Sequence, residues 1–292
     1  MNWFDEFEGR IEHDVPLSPL TWFRLGGHAR HMYRPADEEQ LADAVGRAHD
    51  DGMDTRVLGG GANVLISDDG VDGLVIRLDD PVFRTVEFVG DRVIAGGGAD
   101  LMRLTLDCAR RGLAGLECMA GIPGTVGGAI RMNAGGRSGA IGEVVSTARL
   151  LTPEGRIERL TSEQLAFGYR RSAVGKRIVL AAELQLHEDD PRRVLARYNE
   201  ILEPKKASQP LGQNSAGCIF KNPPGQSAGR LIDQAGMKGQ CVGGASVSDR
   251  HANFIVTRQG AKTDDVLRLV DRIRHTVHNK FGVDLELEID IW

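Results

Sequence analysis

Apolar and polar positions along this chain of 292 residues follow two rhythms, one helical and one of short extended runs. Leu41, Ala44, Val45 and Ala48 fall at helical spacing behind Asp37 and Gln40, a pair that reads as a capping box, so a helix opens there and ends near Gly52. Extended runs follow at residues 56–58, 64–66, 74–78, 82–88 and 92–95, cut by Gly and Asp, and make a sheet-rich lobe. Asp100 caps a second helix, with Leu101, Leu104, Thr105 and Cys108 facing inward, that stops around Gly112. Strands at 144–152 and 178–186 bracket a short helix begun by Thr161 and Gln164. Asp190 and Pro191 start a further helix carrying Val194, Leu195, Tyr198, Ile201 and Leu202 on one side. From Glu203 to Gln226 the chain is rich in Lys, Pro, Asn and Gly with no helical period, which places a domain junction near 204. Val266, Leu269, Val270, Ile273 and Val277 predict a last helix over 263–281, and alternation over 284–291 predicts a closing strand.

Composition narrows the class. With 41% hydrophobic and 26% charged residues the chain is globular and long enough for two or three units. A net charge of -5 argues against a nucleic-acid surface, while local cations can still hold a small anionic ligand. Cys108, Cys118, Cys218 and Cys241 show no zinc spacing, so no metal is expected and reduced thiols are the default. The acidic N-terminus and the lack of an apolar run near 18 residues point to a cytoplasmic protein without a membrane span.

Two glycine clusters carry the chemistry: LGGGANVLIS at 58–67 and AGIPGTVGGAIRMNAGG at 120–136. Glycine reaches positive φ and has no Cβ, so such segments let backbone N–H groups close on phosphate. A flexible linker would be polar and Ser-rich, whereas these glycines alternate with Ile, Val, Leu and Met that want burial. Neither cluster has the Lys-Ser/Thr of a P-loop, and neither 59–64 nor 96–101 completes the Rossmann glycine pattern. Two cradles suggest one long diphosphate ligand on a different dinucleotide fold.

The order LGGGANVLIS, GIPGTVGGAIRMNAGG, FGYRRS, SAGCIFKNP, AGRLIDQAGMKG, GGASVSDRHANFIV and LELEI resembles the UDP-N-acetylenolpyruvoylglucosamine reductase family from Thr21 to the C-terminus. The resemblance implies an α+β chain: an FAD-binding fold of the vanillyl-alcohol-oxidase type over 1–203, in lobes of about 1–80 and 81–203, then a smaller α+β substrate domain over 204–292 whose last strand returns to the active site. It implies non-covalent FAD, NADPH as hydride donor, UDP-N-acetylglucosamine enolpyruvate as substrate, and a monomer of the family's shorter form. Gly59, Gly60, Gly61, Ala62, Asn63, Gly121, Pro123, Gly124, Thr125, Gly127, Gly128, Asn133, Ala134 and Gly135 would hold the cofactor, and bulk at Gly127 would fill space needed by the pyrophosphate.

Hydride delivered to the carbon β to the substrate carboxylate leaves an enolate-like charge and an α-carbon that needs a proton. By resemblance Arg170 polarises the carboxylate, Cys218 stands where many members have a proton-donating serine, and Glu288 is the C-terminal carboxylate. A thiol, with an ordinary pKa of about 8.5, gives up a proton more readily than an alcohol. Glu286 and Glu288 share one side of an alternating strand, so spacing does not separate them, and only the resemblance favours Glu288. Tyr169, Lys221, Asn222 and Asn253 would contact substrate, and His251 is expected to be structural. Cys108, Cys118 and Cys241 read as small buried hydrophobes. Arg171 stands where the family has aspartate, and Leu287 where it has proline. Two competing readings stay open here: an FAD oxidase acting on another substrate, which would lack SAGCIFKNP, and a flavin-binding paralogue that has lost turnover.

Overall fold

The computed structural model describes residues 3–7 and 9–292, so Met1, Asn2 and Glu8 of the acidic N-terminus lie outside the described residues. The chain divides into two compact units. One comprises the residues up to His13, Arg30–Gly60 and Asp72–Pro204, and the other Asp14–Ala29, Gly61–Val71 and Lys205–Trp292.

In the first unit, helix α1 (Glu38–Asp50) begins where Asp37 accepts from the Gln40 amide at 2.8 Å, and it buries Leu41, Ala44, Val45 and Ala48. That stripe packs on Tyr33, Leu74, Ile76, Leu151 and Leu180. The largest sheet is antiparallel, in the order Ile157–Thr161, Val145–Leu151, Ile178–Gln185, Arg92–Gly96, Val86–Val89. A second sheet runs Ile11–Pro16, His28–Tyr33, Val71–Ile76, Thr55–Val57, the last pair parallel. Helix α2 (Leu101–Arg111) starts at the Asp100 carboxylate, 2.7 Å from the Arg103 amide, and ends at Gly112 in the left-handed region, which glycine enters without steric cost. Helix α3 (Val126–Arg131) lies inside the second glycine cluster, followed by α4 (Ser162–Leu165) with its Thr161 and Gln164 cap.

Several elements differ from the sequence expectation, each for a local reason. Residues 82–88 are not one strand: Asp80 accepts from the Val82 amide and Pro81 opens a 3-10 turn, so only Val86–Val89 is extended. The run expected at 74–78 is the end of a strand that begins at Val71. Helix α5 (Pro191–Ser208) continues through Pro204 into the segment expected to lack helix. Lys205, Lys206 and Ala207 are good helix formers, and Arg250 donates to the carbonyls of Lys206 and Ala207 at 2.9 and 2.8 Å, closing the helix end.

The second unit is built on α6 (Ala228–Gln234), α7 (Thr263–Phe281) and an antiparallel sheet of Cys241–Val242, Ala245–Val247 and Ile255–Thr257. Phe23, Leu25 and Leu65 belong to its apolar core, which is why two stretches from early in the sequence fall in this unit. The closing strand is shorter than alternation predicts: only Asp290–Ile291 pairs, in parallel, with Val64–Leu65, while Leu287 bridges Phe220. Cys108 and Cys118 are buried, and burial pushes the Cys108 thiol up to about 12. Cys241 is exposed, contrary to expectation, because it sits on a short strand at the rim of the sheet with its thiol turned to the Gly239 carbonyl.

Because α2 depends on a single side-chain cap, Asp100→Ala should lower the unfolding free energy of the first unit by about 1 kcal/mol, read from urea unfolding. An unchanged midpoint would show that the Asp100 cap contributes nothing.

Candidate active site

The two glycine segments meet in the first unit. A Cβ on Gly60 would lie 2.7 Å from the Gly124 Cα, so these two backbones touch only because no side chain stands between them, while one on Gly59 would lie 2.7 Å from the Thr125 side chain at Oγ1. The amides of Gly59 and Gly60 donate to no acceptor among the described residues. Gly121 and Gly124 have φ of 73 and 112 degrees, and the space a Gly124 side chain would take is open. Gly128 is equally open, with Thr125 Oγ1 alone within reach at 3.5 Å. Unpaired N–H groups beside a surface without side chains are what an anionic group needs.

Other glycines of the cluster serve packing. Gly127 donates to the Gly97 carbonyl at 2.8 Å, and a Cβ there would lie 2.9 Å from that oxygen and 3.4 Å from Val179. Its bareness seats α3 on the sheet, so bulk at Gly127 acts first on the fold and not, as expected, on cofactor space. Gly135 lies in a tight strand pair with Ala140, where a Cβ would come within 2.6 Å of the Ala140 Cα. Pro123 is half-buried and Ala134 buried beside them. Asn133 is buried with φ of 46 degrees; its Oδ1 accepts from Gly142 at 3.0 Å and its Nδ2 donates to the Gly168 carbonyl at 2.9 Å.

Gly168 and Arg171 exchange backbone bonds of 3.0 and 3.2 Å, which puts Tyr169 and Arg170 at the tip of a tight turn. Arg170 has φ of 55 degrees, a region that favours glycine and persists for other residues only where the surroundings over-determine it. Here its Nη2 donates to the Gly135 carbonyl at 2.8 Å and its guanidinium carbon lies 5.2 Å from the Tyr169 ring centre. The Gly135 carbonyl orients the arginine in a chain whose position 171 carries no acid. Tyr169 itself is 53% exposed.

In the second unit, the segment after half-buried Cys218 is pinned from two sides. Ile219 donates to the Asn253 carbonyl at 2.8 Å, and the Asn253 amide bonds both backbone groups of Phe220, at 3.0 and 2.8 Å. Opposite, Glu288 donates from its backbone to the Ile219 carbonyl at 2.8 Å and Lys221 to the Glu286 carbonyl at 2.8 Å. Cys218 and Glu288 are thereby brought onto neighbouring backbones. Glu286 is exposed, with its carboxylate 3.4 Å from Lys221 Nζ, whereas Glu288 is half-buried, a distinction that spacing alone did not make. Asn63 Nδ2 donates to the Glu288 carbonyl at 3.1 Å, and the Gly61 carbonyl accepts from Trp22 at 2.9 Å, which fixes the Gly61, Ala62 and Asn63 stretch.

Asn222 Oδ1 accepts from the Ala228 amide at the start of α6. His251 is half-buried, its pKa pushed down by burial, with its ring edge-on to Phe254 and its Nδ1 accepting from Asn253, a structural placement. Ser172, the last residue of FGYRRS, donates to the Arg131 carbonyl at 2.8 Å and ties down the exit of the turn. Among the described residues no group of three or more His, Cys, Asp or Glu is placed to hold a metal, and no helix is long and apolar enough to cross a membrane.

Comparison with known proteins gives two family matches along the chain. Residues 29–161 match the model of the FAD binding domain, and residues 209–292 that of the UDP-N-acetylenolpyruvoylglucosamine reductase C-terminal domain. UDP-N-acetylenolpyruvoylglucosamine reductase 2 of Symbiobacterium thermophilum is 42% identical over 97% of this chain and 92% of its own, and the Bacillus subtilis reductase is 36% identical over 97% and 94%. The crystal structure of the reductase from Thermus caldophilus superposes with a TM-score of 0.85 at 39% identity, covering 97% of this chain and 99% of that one.

FAD fits the unpaired amides and bare surface around Gly59, Gly60, Gly124 and Gly128. Gly128→Ala separates this cradle from the fold, because alanine is about 1 kcal/mol better than glycine in a helix and meets open space here. With flavin stripped from both, the variant should melt higher than wild type, while as purified its flavin content falls. Full flavin content with the same rise in melting temperature would show that Gly128 does not face the cofactor.

Proposed function

Because the chain belongs to the UDP-N-acetylenolpyruvoylglucosamine reductase family, we propose that Arg170, Cys218 and Glu288 are the residues that carry its reaction. The enzyme reduces UDP-N-acetylglucosamine enolpyruvate to UDP-N-acetylmuramate in the synthesis of peptidoglycan precursors, using FAD and NADPH. FAD, which the surface around Gly59, Gly60, Gly124 and Gly128 would hold, would supply the hydride chemistry between NADPH and the carbon β to the substrate carboxylate.

The chain supplies the rest. Arg170 pairs its planar guanidinium with the carboxylate as charge builds there, a task for which two parallel donors suit better than a lysine ammonium. Cys218 gives its thiol proton to the α-carbon, the S–H bond breaking as the C–H bond forms, and solvent restores the thiol. Glu288 orients the developing enol. Tyr169, Lys221 and Asn222 hold the substrate, and Asn253 acts on it through the Cys218 segment, since its own amide is spent on Phe220. The observation that supports this assignment best is the pairing of Glu288 with Ile219, which sets the proposed acid and carboxylate on neighbouring backbones. We propose that the chain works as a monomer in the cytoplasm, where its nucleotide substrates are soluble.

Hydride transfer from NADPH to FAD involves no proton from Cys218, whereas quenching the substrate enolate does. Cys218→Ala should therefore spare flavin reduction by NADPH and slow reoxidation by substrate by about 10²–10⁴-fold, and Cys218→Ser should retain far more activity. Reoxidation of the alanine variant at the wild-type rate would make Cys218 a packing residue. The flavin should also be released entirely by acid precipitation, since residues 58–67 and 121–136 hold no His or Cys; colour kept on the pellet would contradict non-covalent binding.

A further inference from the structure

Asn133 lies in the second glycine segment, yet both ends of its side-chain amide are turned away from a ligand role. Oδ1 accepts from the Gly142 amide at 3.0 Å, Nδ2 donates to the Gly168 carbonyl at 2.9 Å, and the residue is 8% exposed. Gly168 is the residue whose backbone closes the Tyr169 and Arg170 turn. Two further bonds join the same pieces of chain: Arg170 Nη2 to the Gly135 carbonyl at 2.8 Å and Ser172 Oγ to the Arg131 carbonyl at 2.8 Å.

Both Asn133 and Arg170 occupy the left-handed region, at φ of 46 and 55 degrees. Asparagine is among the few side chains at home there, while a long arginine is not, so the arginine backbone is the strained member and needs an outside hold. Among the described residues the asparagine amide is the one side chain of the glycine segment that bonds the base of the turn. Space around it is tight as well: a Cβ on Gly142 would come within 2.8 Å of Asn133 Oδ1. A hydrogen bond from a buried amide to a carbonyl fixes that carbonyl's direction, and with it the sense in which the turn presents its tip.

We infer that Asn133 is a positioning residue for Arg170, locking the arginine turn onto the glycine segment, and that its side chain serves substrate reduction and not flavin binding. The inference rests on the proposed role of Arg170. Displacing a catalytic cation by even 1 Å costs on the order of 10²-fold in rate, which is the scale of the effect.

Half-reactions of the holoenzyme test this. Asn133→Gly keeps the left-handed backbone and removes both amide bonds; Asn133→Asp keeps the acceptor for Gly142 and loses the donor to Gly168. Both variants should bind flavin fully and be reduced by NADPH at close to the wild-type rate, with reoxidation by the enolpyruvyl nucleotide slowed about 10²-fold. Asn133→Asp should regain rate, relative to wild type, as pH falls and its buried carboxyl, raised by burial, becomes an O–H donor; Asn133→Gly should not. In an Arg170→Met background, Asn133→Gly should add little, since the two act as one unit. Loss of flavin from Asn133→Gly, or equal slowing of both half-reactions, would overturn the inference by making Asn133 a cofactor or folding residue. Full additivity with Arg170→Met would overturn it too. Normal reoxidation in Asn133→Gly beside slow reoxidation in Arg170→Met sinks this inference alone, whereas normal reoxidation in Arg170→Met sinks the arginine assignment as well.

Discussion

Two backbones can touch only where no Cβ stands between them, and in the first unit Gly60 against Gly124 is one such place. Beside it the Gly59 and Gly60 amides donate to no acceptor among the described residues. From the same segment, α3 packs down on the sheet through bare Gly127, and Asn133 and Gly135 reach the turn that carries Arg170. One run of glycines thus serves three things: a bare surface that fits an anionic group, the seat of a short helix, and the anchor of Arg170, the proposed catalytic cation. Each glycine differs in what surrounds its missing side chain, and that surrounding decides which task it has.

The second unit solves a different problem. The segment after Cys218 and the segment that carries Glu288 are brought together there by backbone pairing. Glu286 takes the exposed position near Lys221, leaving Glu288 half-buried beside the Cys218 segment. Asn253 holds the far side of that segment through both polar groups of its amide, a bonding pattern that replaces a missing strand. Leu287 adds a backbone bridge to Phe220 in the same segment.

What the sequence made legible is what local chemistry decides. Capped helices at Asp37, Asp100 and Thr161 begin where their side-chain acceptors stand, and α7 spans the residues its apolar period marks out. Long-range contacts were not legible. Nothing in the local pattern says that Phe23, Leu25 and Leu65 belong to the core of the C-terminal unit, or that Leu285 and Ile289 are buried by an extended chain with only two residues of true strand. The strands His28–Tyr33 and Ile157–Thr161 went unread because their charged residues interrupt any alternation. Among site residues, motif order brought out Arg170, Cys218 and Glu288, but the tasks of Asn133 and Gly127 depend on partners tens of residues away and become visible only in three dimensions.

The most direct measurement of whether these parts work as one reductase is anaerobic. The purified yellow protein is reduced with NADPH until the flavin absorbance is lost, excess NADPH is removed, and one equivalent of the enolpyruvyl nucleotide is added. Full return of flavin absorbance, with one saturated nucleotide product per flavin, is the predicted result. Flavin that bleaches with NADPH and stays bleached in the presence of the nucleotide would contradict it, and would mark the chain as a flavoprotein that has kept the cradle and lost the reaction.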